Sequence, residues 1–130
     1  MQAIILAAGM GKRLKKLTEN VTKCMVQVNG ITLIERMLLQ LDRLSLDRII
    51  IVIGYKADIL TTFLSSLHIK TPILFVRNEI YFKTNNIYSL YLAGDYLLHD
   101  DTILLESDLI MDDEVLSRLI MSNASDQAVV

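Results

Sequence analysis

Four short runs of uniformly apolar residues constrain the fold of this chain more than any other feature. They cover residues 3–6, 49–53, 73–76 and 103–105, and most of their side chains are isoleucine, leucine or valine. Apolar runs of this length, without alternating polar positions, are typical of strands buried on both faces of a parallel sheet. We therefore expect all four runs to lie in one central, mainly parallel sheet.

Segments with helical spacing separate these runs and predict four helices. A capping box of Thr32 and Glu35 starts the first helix, and the others are expected over residues 56–66, from about Asn86 onward and over residues 113–121. A further strand over residues 25–28 precedes an Asn-Gly turn. This order favours a three-layer α/β fold. The predicted inner faces comprise Ile34, Met37, Leu38, Leu41 and Leu44 in the first helix, Ile59, Leu60, Phe63 and Leu67 in the second, and Ile87, Leu90, Tyr91, Gly94 and Leu98 in the third.

Composition excludes several functional classes. The 130 residues amount to one domain by size, and the net charge of −2 lacks the basic bias of nucleic-acid-binding domains. A single cysteine, Cys24, excludes an internal disulfide, and the scattered positions of His68 and His99 argue against a zinc site. No stretch approaches the ~20 apolar residues of a membrane helix, and no basic residue precedes the apolar start as in a signal peptide. We expect a soluble cytoplasmic protein, and residues 128–130 resemble the opening of a further strand in a chain that continues.

A glycine-rich basic turn follows the first predicted strand. Residues 6–13 read LAAGMGKR, with two glycines just before Lys12 and Arg13. Ligands of open parallel sheets bind beyond the carboxyl ends of the strands, and small residues let backbone N–H groups approach phosphate oxygens. The turn fits neither the Walker pattern, which needs glycine in place of Leu6, nor the dinucleotide pattern, which needs glycine in place of Leu14. A phosphate-binding turn is the functional interpretation, and a solvated basic turn is the structural one.

Lys23 and Asp108 are further candidates for the chemistry of this site. Lys23 precedes a predicted strand, from which its ammonium group can reach back over the phosphates, although a surface lysine is the simpler interpretation. Asp108 follows the apolar run at residues 103–105, so its carboxylate is expected in the same crevice as the glycine turn. Because Mg²⁺ is typically held by one or two carboxylates together with substrate phosphates, we predict that Asp108 binds Mg²⁺. Glu106 either supports that site or points away from it.

Polar side chains also gather at the start of the third predicted helix. Asn85 or Asn86 is suited to capping this helix. A helix N-terminus with spare amide and hydroxyl groups also suits a base edge or an anion. Since Ser89 lies four residues after Asn85, both are expected on one side of the first turn. Capping and ligand binding both remain open for these residues.

These residues together resemble a known signature. The string AIILAAGMGKRL at residues 3–14, followed by LTEN at residues 17–20 and then Lys23, resembles that of the nucleotide-diphospho-sugar pyrophosphorylase superfamily. The string NNIYSLYLA at residues 85–93 is similar to the cytidylyltransferase branch that activates phosphocholine or 2-aminoethylphosphonate. The resemblance covers essentially the whole chain, and its first stretch is the more specific of the two.

The resemblance implies a Rossmann-like nucleotidyltransferase fold and a particular reaction. An acceptor phosphate or phosphonate oxygen attacks the α-phosphorus of CTP in line, pyrophosphate leaves, and Mg²⁺ is the cofactor. The implied roles are backbone contacts from Leu6, Ala8 and Gly9 to base and ribose, phosphate binding by Gly11 and Arg13, charge stabilisation at the α-phosphate by Lys23, Mg²⁺ binding by Asp108, and nucleotide contacts from Asn85 and Ser89.

Members of this family are usually nearly twice as long, and their later half supplies a second metal carboxylate and most acceptor contacts. We therefore expect residues 1–130 to correspond to the nucleotide-binding part, without the acceptor-binding part. Two alternatives stay open: a sugar-1-phosphate nucleotidyltransferase, which shares the glycine-turn string, and a non-catalytic nucleotide-binding module. The sequence leaves open the acceptor, the base preference and whether the protein forms a homo-oligomer.

Overall fold

A four-stranded parallel sheet lies at the centre of the computed structural model, which describes residues 1–122. The strands are β1 (Gln2–Ala7), β2 (Gln27–Val28), β3 (Ile31–Thr32), β4 (Arg48–Ile53), β5 (Ile73–Arg77) and β6 (Thr102–Glu106). The helices are α1 (Leu33–Asp42), α2 (Ala57–Ser65), α3 (Asn86–Leu92), α4 (Gly94–Leu97) and α5 (Asp113–Met121). Two 3₁₀ segments, Lys12–Thr18 and Lys23–Met25, join β1 to β2. The strand expected at residues 128–130 lies outside the described residues.

The order of the central sheet is β5-β4-β1-β6, and every pairing within it is parallel. This confirms the predicted parallel sheet, with β1 and β4 buried at its centre. The prediction that all four runs are buried on both faces was wrong for the outer strands. Leu74 and Phe75 in β5 are 38% and 41% exposed, and Leu104 in β6 is 47% exposed. As edge strands, β5 and β6 are covered less completely than their neighbours.

Two apolar clusters, one on each face of the sheet, confirm the predicted three-layer fold. On one face, Ile5 and Ile51 pack with Ile34 of α1, Leu60 of α2 and Leu116 of α5. On the other face, alternate residues of the same strands pack beneath the α3–α4 region. That smaller cluster comprises Ile4, Leu6, Ala8, Ile50, Val52 and Ala93, with Val76, Tyr81, Leu90 and Tyr96 against it.

Helix α1 begins where the sequence predicts. The hydroxyl of Thr32 accepts a hydrogen bond from the Glu35 backbone N–H at 3.1 Å, and the predicted inner residues Ile34, Met37 and Leu41 are buried. In α2 the prediction was partly wrong, because Ile59 is 44% exposed. Its buried residues are Ala57, Leu60 and Leu64.

The predicted inner face of α3 was partly wrong, although its member Leu90 does pack against the smaller cluster. Ile87, Tyr91 and Leu98 are 77%, 75% and 79% exposed, whereas Ser89 and Ala93 are buried. Small residues let this region approach the sheet closely, so Ile87, Tyr91 and Leu98 are left exposed while Leu90 stays against the cluster. Hydropathy at helical spacing does not detect a contact made through small and polar residues.

The predicted strand over residues 25–28 was also shorter than expected. Only Gln27 and Val28 form a strand, which pairs antiparallel with β3 in a hairpin separate from the main sheet. The Asn29-Gly30 turn has left-handed backbone at both positions, with φ of 53° and 78°, as two-residue hairpin turns require. Within residues 1–122, no helix has the length and apolar character needed to cross a membrane.

Candidate nucleotide site

The glycine turn extends from the carboxyl end of β1, at the centre of the sheet. Gly11 has a φ of 60°, a left-handed conformation that favours glycine. Its carbonyl accepts hydrogen bonds from the Leu14 N–H at 2.9 Å and the Thr18 hydroxyl at 3.2 Å. A Cβ atom on Gly11 would lie 3.1 Å from side-chain carbons of Thr18 and Lys23. The turn therefore packs directly against the lysine that the sequence singled out.

Residues that follow β4 fix the other side of the turn. The backbone N–H of Tyr55 donates to the carbonyl of Ala8 at 3.0 Å, and its hydroxyl donates to the carbonyl of Thr18 at 3.1 Å. A Cβ atom on Gly54 would lie 2.7 Å from Cβ of Tyr81, so only glycine fits there without a shift. Sequence reasoning missed these supports; a glycine followed by a tyrosine directly after a buried strand is the signal that could have found them.

A cleft of about 400 Å³ opens between the glycine turn, the amino terminus of α3 and the carboxyl end of β6. It brings together most of the residues predicted for the site: the turn, the isolated lysine and the strand-end aspartate. Its lining residues are Leu6, Gly9, Gly11, Lys12, Arg13, Leu14, Lys23, Asn86, Glu106, Ser107 and Asp108.

Lys23 and Asp108 form an ion pair in this cleft. Lys23 begins a 3₁₀ segment that is anchored beneath by Thr22 and Cys24, both 1% exposed, with the Thr22 hydroxyl 3.0 Å from the Cys24 sulfur. The two charged side chains remain partly accessible, 37% for Lys23 and 29% for Asp108. The buried residues Thr22 and Cys24 thus hold in place a pair of opposite charges that solvent can reach.

The charges of the cleft are unevenly compensated. Lys23 and Asp108 neutralise each other. The side chains of Lys12 and Arg13, by contrast, have no ion-pair or hydrogen-bond partner in the part of the chain that the structure describes. Two free cations beside a glycine turn favour an anionic ligand such as a polyphosphate.

Asn86 and Glu106 form a second polar pair in the cleft. The side-chain amide nitrogen of Asn86 lies 2.8 Å from each carboxylate oxygen of Glu106 and donates to both. Glu106 ends β6 in register with Leu6 of β1, so the pair lies beside the start of the glycine turn. The sequence left the orientation of Glu106 open. One signal was available in the sequence: two consecutive asparagines stand where a helix needs only one capping residue, so the side chain of Asn86 is available for another contact.

Three predicted nucleotide contacts do not line the cleft. The side-chain oxygen of Asn85 caps α3 by accepting from the Tyr88 N–H at 3.3 Å. Ser89 is 2% exposed, and its hydroxyl lies 3.1 Å from the amide nitrogen of Asn78. Ala8 is 4% exposed. The nucleotide-binding roles of Asn85, Ser89 and Ala8 stay predictions, as do those of the residues that do line the cleft.

The fold and the site together define a class of protein. A parallel α/β sheet with a cationic glycine turn after its first strand, facing a carboxylate at the end of a neighbouring strand, is a nucleotide-binding domain of the nucleotidyltransferase type. The chain belongs to the MobA-like NTP transferase domain family, which matches residues 3–130.

Relatives within this family narrow the comparison. The chain is 37% identical over 113 residues to 2-aminoethylphosphonate cytidylyltransferase of Lancefieldella rimae, covering 86% of this chain and 44% of that protein. It is 40% identical over 112 residues to choline-phosphate cytidylyltransferase of Streptococcus pneumoniae, covering 82% and 47%.

A solved structure of CTP:phosphocholine cytidylyltransferase from Streptococcus pneumoniae superposes with a TM-score of 0.71 at 37% identity, covering 82% of this chain and 44% of that one. The likeness confirms the predicted Rossmann-like nucleotidyltransferase fold. The chain spans about half the length of the curated relatives it matches.

Proposed function

We propose that this chain is the nucleotide-binding part of a cytidylyltransferase that transfers CMP from CTP to a small phosphorylated acceptor. Phosphocholine and 2-aminoethylphosphonate are the acceptors suggested by the similar proteins. The observation that carries the proposal is the convergence of the glycine turn, Lys23 and Asp108 on one cleft. A cytoplasmic location belongs to the same proposal, since Cys24 is a buried free thiol of the kind that persists in reducing compartments.

The reaction makes and breaks one bond to phosphorus. An acceptor oxygen attacks the α-phosphorus of CTP, the bond from that phosphorus to the oxygen bridging to the β-phosphorus breaks, and pyrophosphate leaves with the electron pair. Such a transfer needs little covalent chemistry from the protein, so positioning and charge stabilisation dominate. The backbone of the glycine turn would seat the phosphates, with Arg13 supplying a planar donor.

Lys23 has the position and accessibility for charge stabilisation at the α-phosphate. Its side-chain carbons pack against Gly11, which keeps the ammonium group at the edge of the turn. Without a ligand, Asp108 is its counter-charge. Bound phosphates would offer the ammonium a stronger anionic partner, and Asp108 would then be released for another role.

The donor set in the cleft fits Mg²⁺ held jointly with a nucleotide. Within residues 1–122, no three His, Cys, Asp or Glu side chains cluster as in an all-protein metal site. Mg²⁺ commonly binds through one or two carboxylates and substrate phosphates, and Asp108 supplies one accessible carboxylate in the cleft. Asp108 would hold the ion, which when bound neutralises phosphate charge.

A substrate survey tests this function. The full-length protein is incubated with Mg²⁺, one of CTP, UTP, GTP or dTTP, and one of phosphocholine, 2-aminoethylphosphonate or glucose 1-phosphate, and pyrophosphate release is measured. We expect release with CTP and an aminoalkyl acceptor. Turnover only with a hexose 1-phosphate would overturn the cytidylyltransferase assignment.

Thermal stabilisation tests nucleotide and metal binding without requiring turnover. A ligand that binds only the folded protein raises its melting temperature, so CTP with Mg²⁺ should stabilise the protein more than UTP, GTP or dTTP with Mg²⁺. Asp108→Asn should remove the additional stabilisation that Mg²⁺ provides in the presence of CTP, while Asp95→Asn, an exposed substitution in α4, should keep it. Equal Mg²⁺ effects in both variants would contradict the role of Asp108.

A further inference from the structure

A carboxylate stands in a cleft that otherwise favours anions. Asp108 is neutralised by Lys23, but Glu106 is held only by the neutral side-chain amide of Asn86. Within the described residues, no cation forms an ion pair with Glu106. Its negative charge is therefore uncompensated at a site where phosphate-bearing substrates must bind.

From this charge distribution we infer that Glu106, oriented by Asn86, is the subsite for the positively charged nitrogen of a zwitterionic acceptor. The inference deepens the proposed function and rests on it. Phosphocholine carries a cationic nitrogen separated by two carbons from a phosphate oxygen. In 2-aminoethylphosphonate two carbons separate the cationic nitrogen from the phosphorus. The lining of one cleft thus holds both kinds of charge that such a molecule needs, cations at Lys12 and Arg13 and a carboxylate without a cationic partner at Glu106.

The Asn86 contact gives Glu106 a fixed orientation. The side-chain amide nitrogen of Asn86, in the first turn of α3, donates to both carboxylate oxygens of Glu106 at 2.8 Å. These bonds hold the Glu106 carboxylate beside the glycine turn. Asn86 is thus a positioning residue, and Glu106 touches the acceptor. A nucleobase or ribose can donate hydrogen bonds to this carboxylate, but neither neutralises its charge as a cationic nitrogen does.

Pairs of acceptors with the same shape but different charge separate the effect of acceptor charge from that of acceptor shape. The full-length protein is assayed with phosphocholine and its neutral carbon isostere 3,3-dimethylbutyl phosphate, and with 2-aminoethylphosphonate and propylphosphonate. In Glu106→Gln the side chain still accepts from Asn86 but loses its charge. We expect this variant to lower kcat/KM for the cationic acceptors by about three- to tenfold, with little change for the neutral ones and an unchanged KM for CTP.

The control is Glu114→Gln, the same substitution on α5, where Glu114 pairs with Arg118 outside the cleft. It should preserve the preference for cationic acceptors. The inference is overturned if Glu106→Gln keeps that preference. A raised KM for CTP together with an unchanged preference would show that the carboxylate contacts the nucleotide instead.

A binding measurement distinguishes failure of this inference from failure of the proposed function. If the wild-type protein releases no pyrophosphate from CTP with any acceptor, the proposed function fails. Calorimetric titration of the same acceptor pairs, in the presence of Mg²⁺ and α,β-methylene-CTP, then decides the role of Glu106. A charge preference that Glu106→Gln removes supports the subsite; no preference, or one that survives the substitution, overturns it.

Discussion

The ammonium group of Lys23 forms an ion pair with the carboxylate of Asp108, and both groups line the cleft beside the glycine turn. Each group is the counter-charge of the other while no nucleotide is bound. A triphosphate and its metal ion would offer each a new partner of the opposite sign. The two residues are 85 positions apart by number (108 − 23), and the fold alone brings them together.

Replacement of Lys23 by alanine should reduce kcat by about 100-fold, the order of loss seen when a single group that stabilises transition-state charge is removed. The free energy of unfolding should fall by no more than about 1 kcal/mol, because the pair with Asp108 is partly solvated. Steady-state pyrophosphate release and urea unfolding measure the two effects. Lys70→Ala, an exposed substitution outside the cleft, is the control and should retain activity. Near-normal turnover in Lys23→Ala would remove Lys23 from the mechanism.

Gly11→Ala should destabilise the fold, whereas Gly9→Ala should not. Gly11 has a φ of 60° and little room for a Cβ atom, so alanine there should cost about 1–2 kcal/mol of unfolding free energy. A Cβ atom on Gly9 meets nothing within 4 Å. Because Gly9 lines the cleft, alanine there should weaken nucleotide affinity while the melting temperature of the free protein stays near wild type. Unchanged affinity in Gly9→Ala would argue against close backbone approach to the nucleotide.

Asp42 should stabilise the fold at neutral pH but not in acid. Its carboxylate accepts hydrogen bonds from the Thr71 N–H and hydroxyl and from the Lys70 N–H. Burial raises the pKa of Asp42, but the bonds from Thr71 and Lys70 outweigh burial and hold this pKa below its ordinary value.

A depressed folded-state pKa contributes stability above the unfolded pKa of about 3.9, and the contribution is lost as the pH falls through the folded-state value. Asp42→Asn should therefore lower the unfolding free energy by about 1–2 kcal/mol at pH 7, and by less at pH 3. Urea unfolding at both pH values measures the difference. An equal loss at both pH values for Asp42→Asn would refute the linkage.

Cys24 should resist thiol reagents in the folded protein. Burial raises the pKa of Cys24 to about 11, so roughly one molecule in a thousand carries the reactive thiolate at pH 8. The whole residue is also only 1% exposed. Labelling with a chromogenic disulfide reagent should be slow in buffer and rapid in urea above the unfolding midpoint. Immediate stoichiometric labelling without denaturant would contradict the structure.

The central strands and the start of α1 were predictable because each has a local physical signature. Residues 3–6 and 49–53 are apolar without interruption, as double-sided burial requires. The cap of α1 is a hydrogen bond from the Glu35 N–H to the Thr32 hydroxyl, and these residues are only three positions apart. The convergence of the glycine turn with Asp108 was also predictable, since each follows a parallel strand and such strands place their carboxyl ends at one edge of the sheet.

Contacts that depend on long-range packing were not predictable. The inner face of α3 follows Ser89 and its buried bond to Asn78, a polar contact that a search for apolar spacing passes over. The pairing of Asn86 with Glu106 joins residues on different elements and leaves no trace in the spacing of either.

The sheet order gives the two walls of the cleft unequal support. One wall is continuous with β1, which is bonded to a strand on each side. The other is α3, which contacts the sheet through Ser89 and Leu90 while Ile87 and Tyr91 are exposed. Amide hydrogens at the base of the first wall should exchange slowly with deuterium, and those of the second much sooner. A substrate would thus contact a rigid wall on one side and a more easily displaced helix on the other. The helix would therefore be the part that adjusts to acceptors of different length.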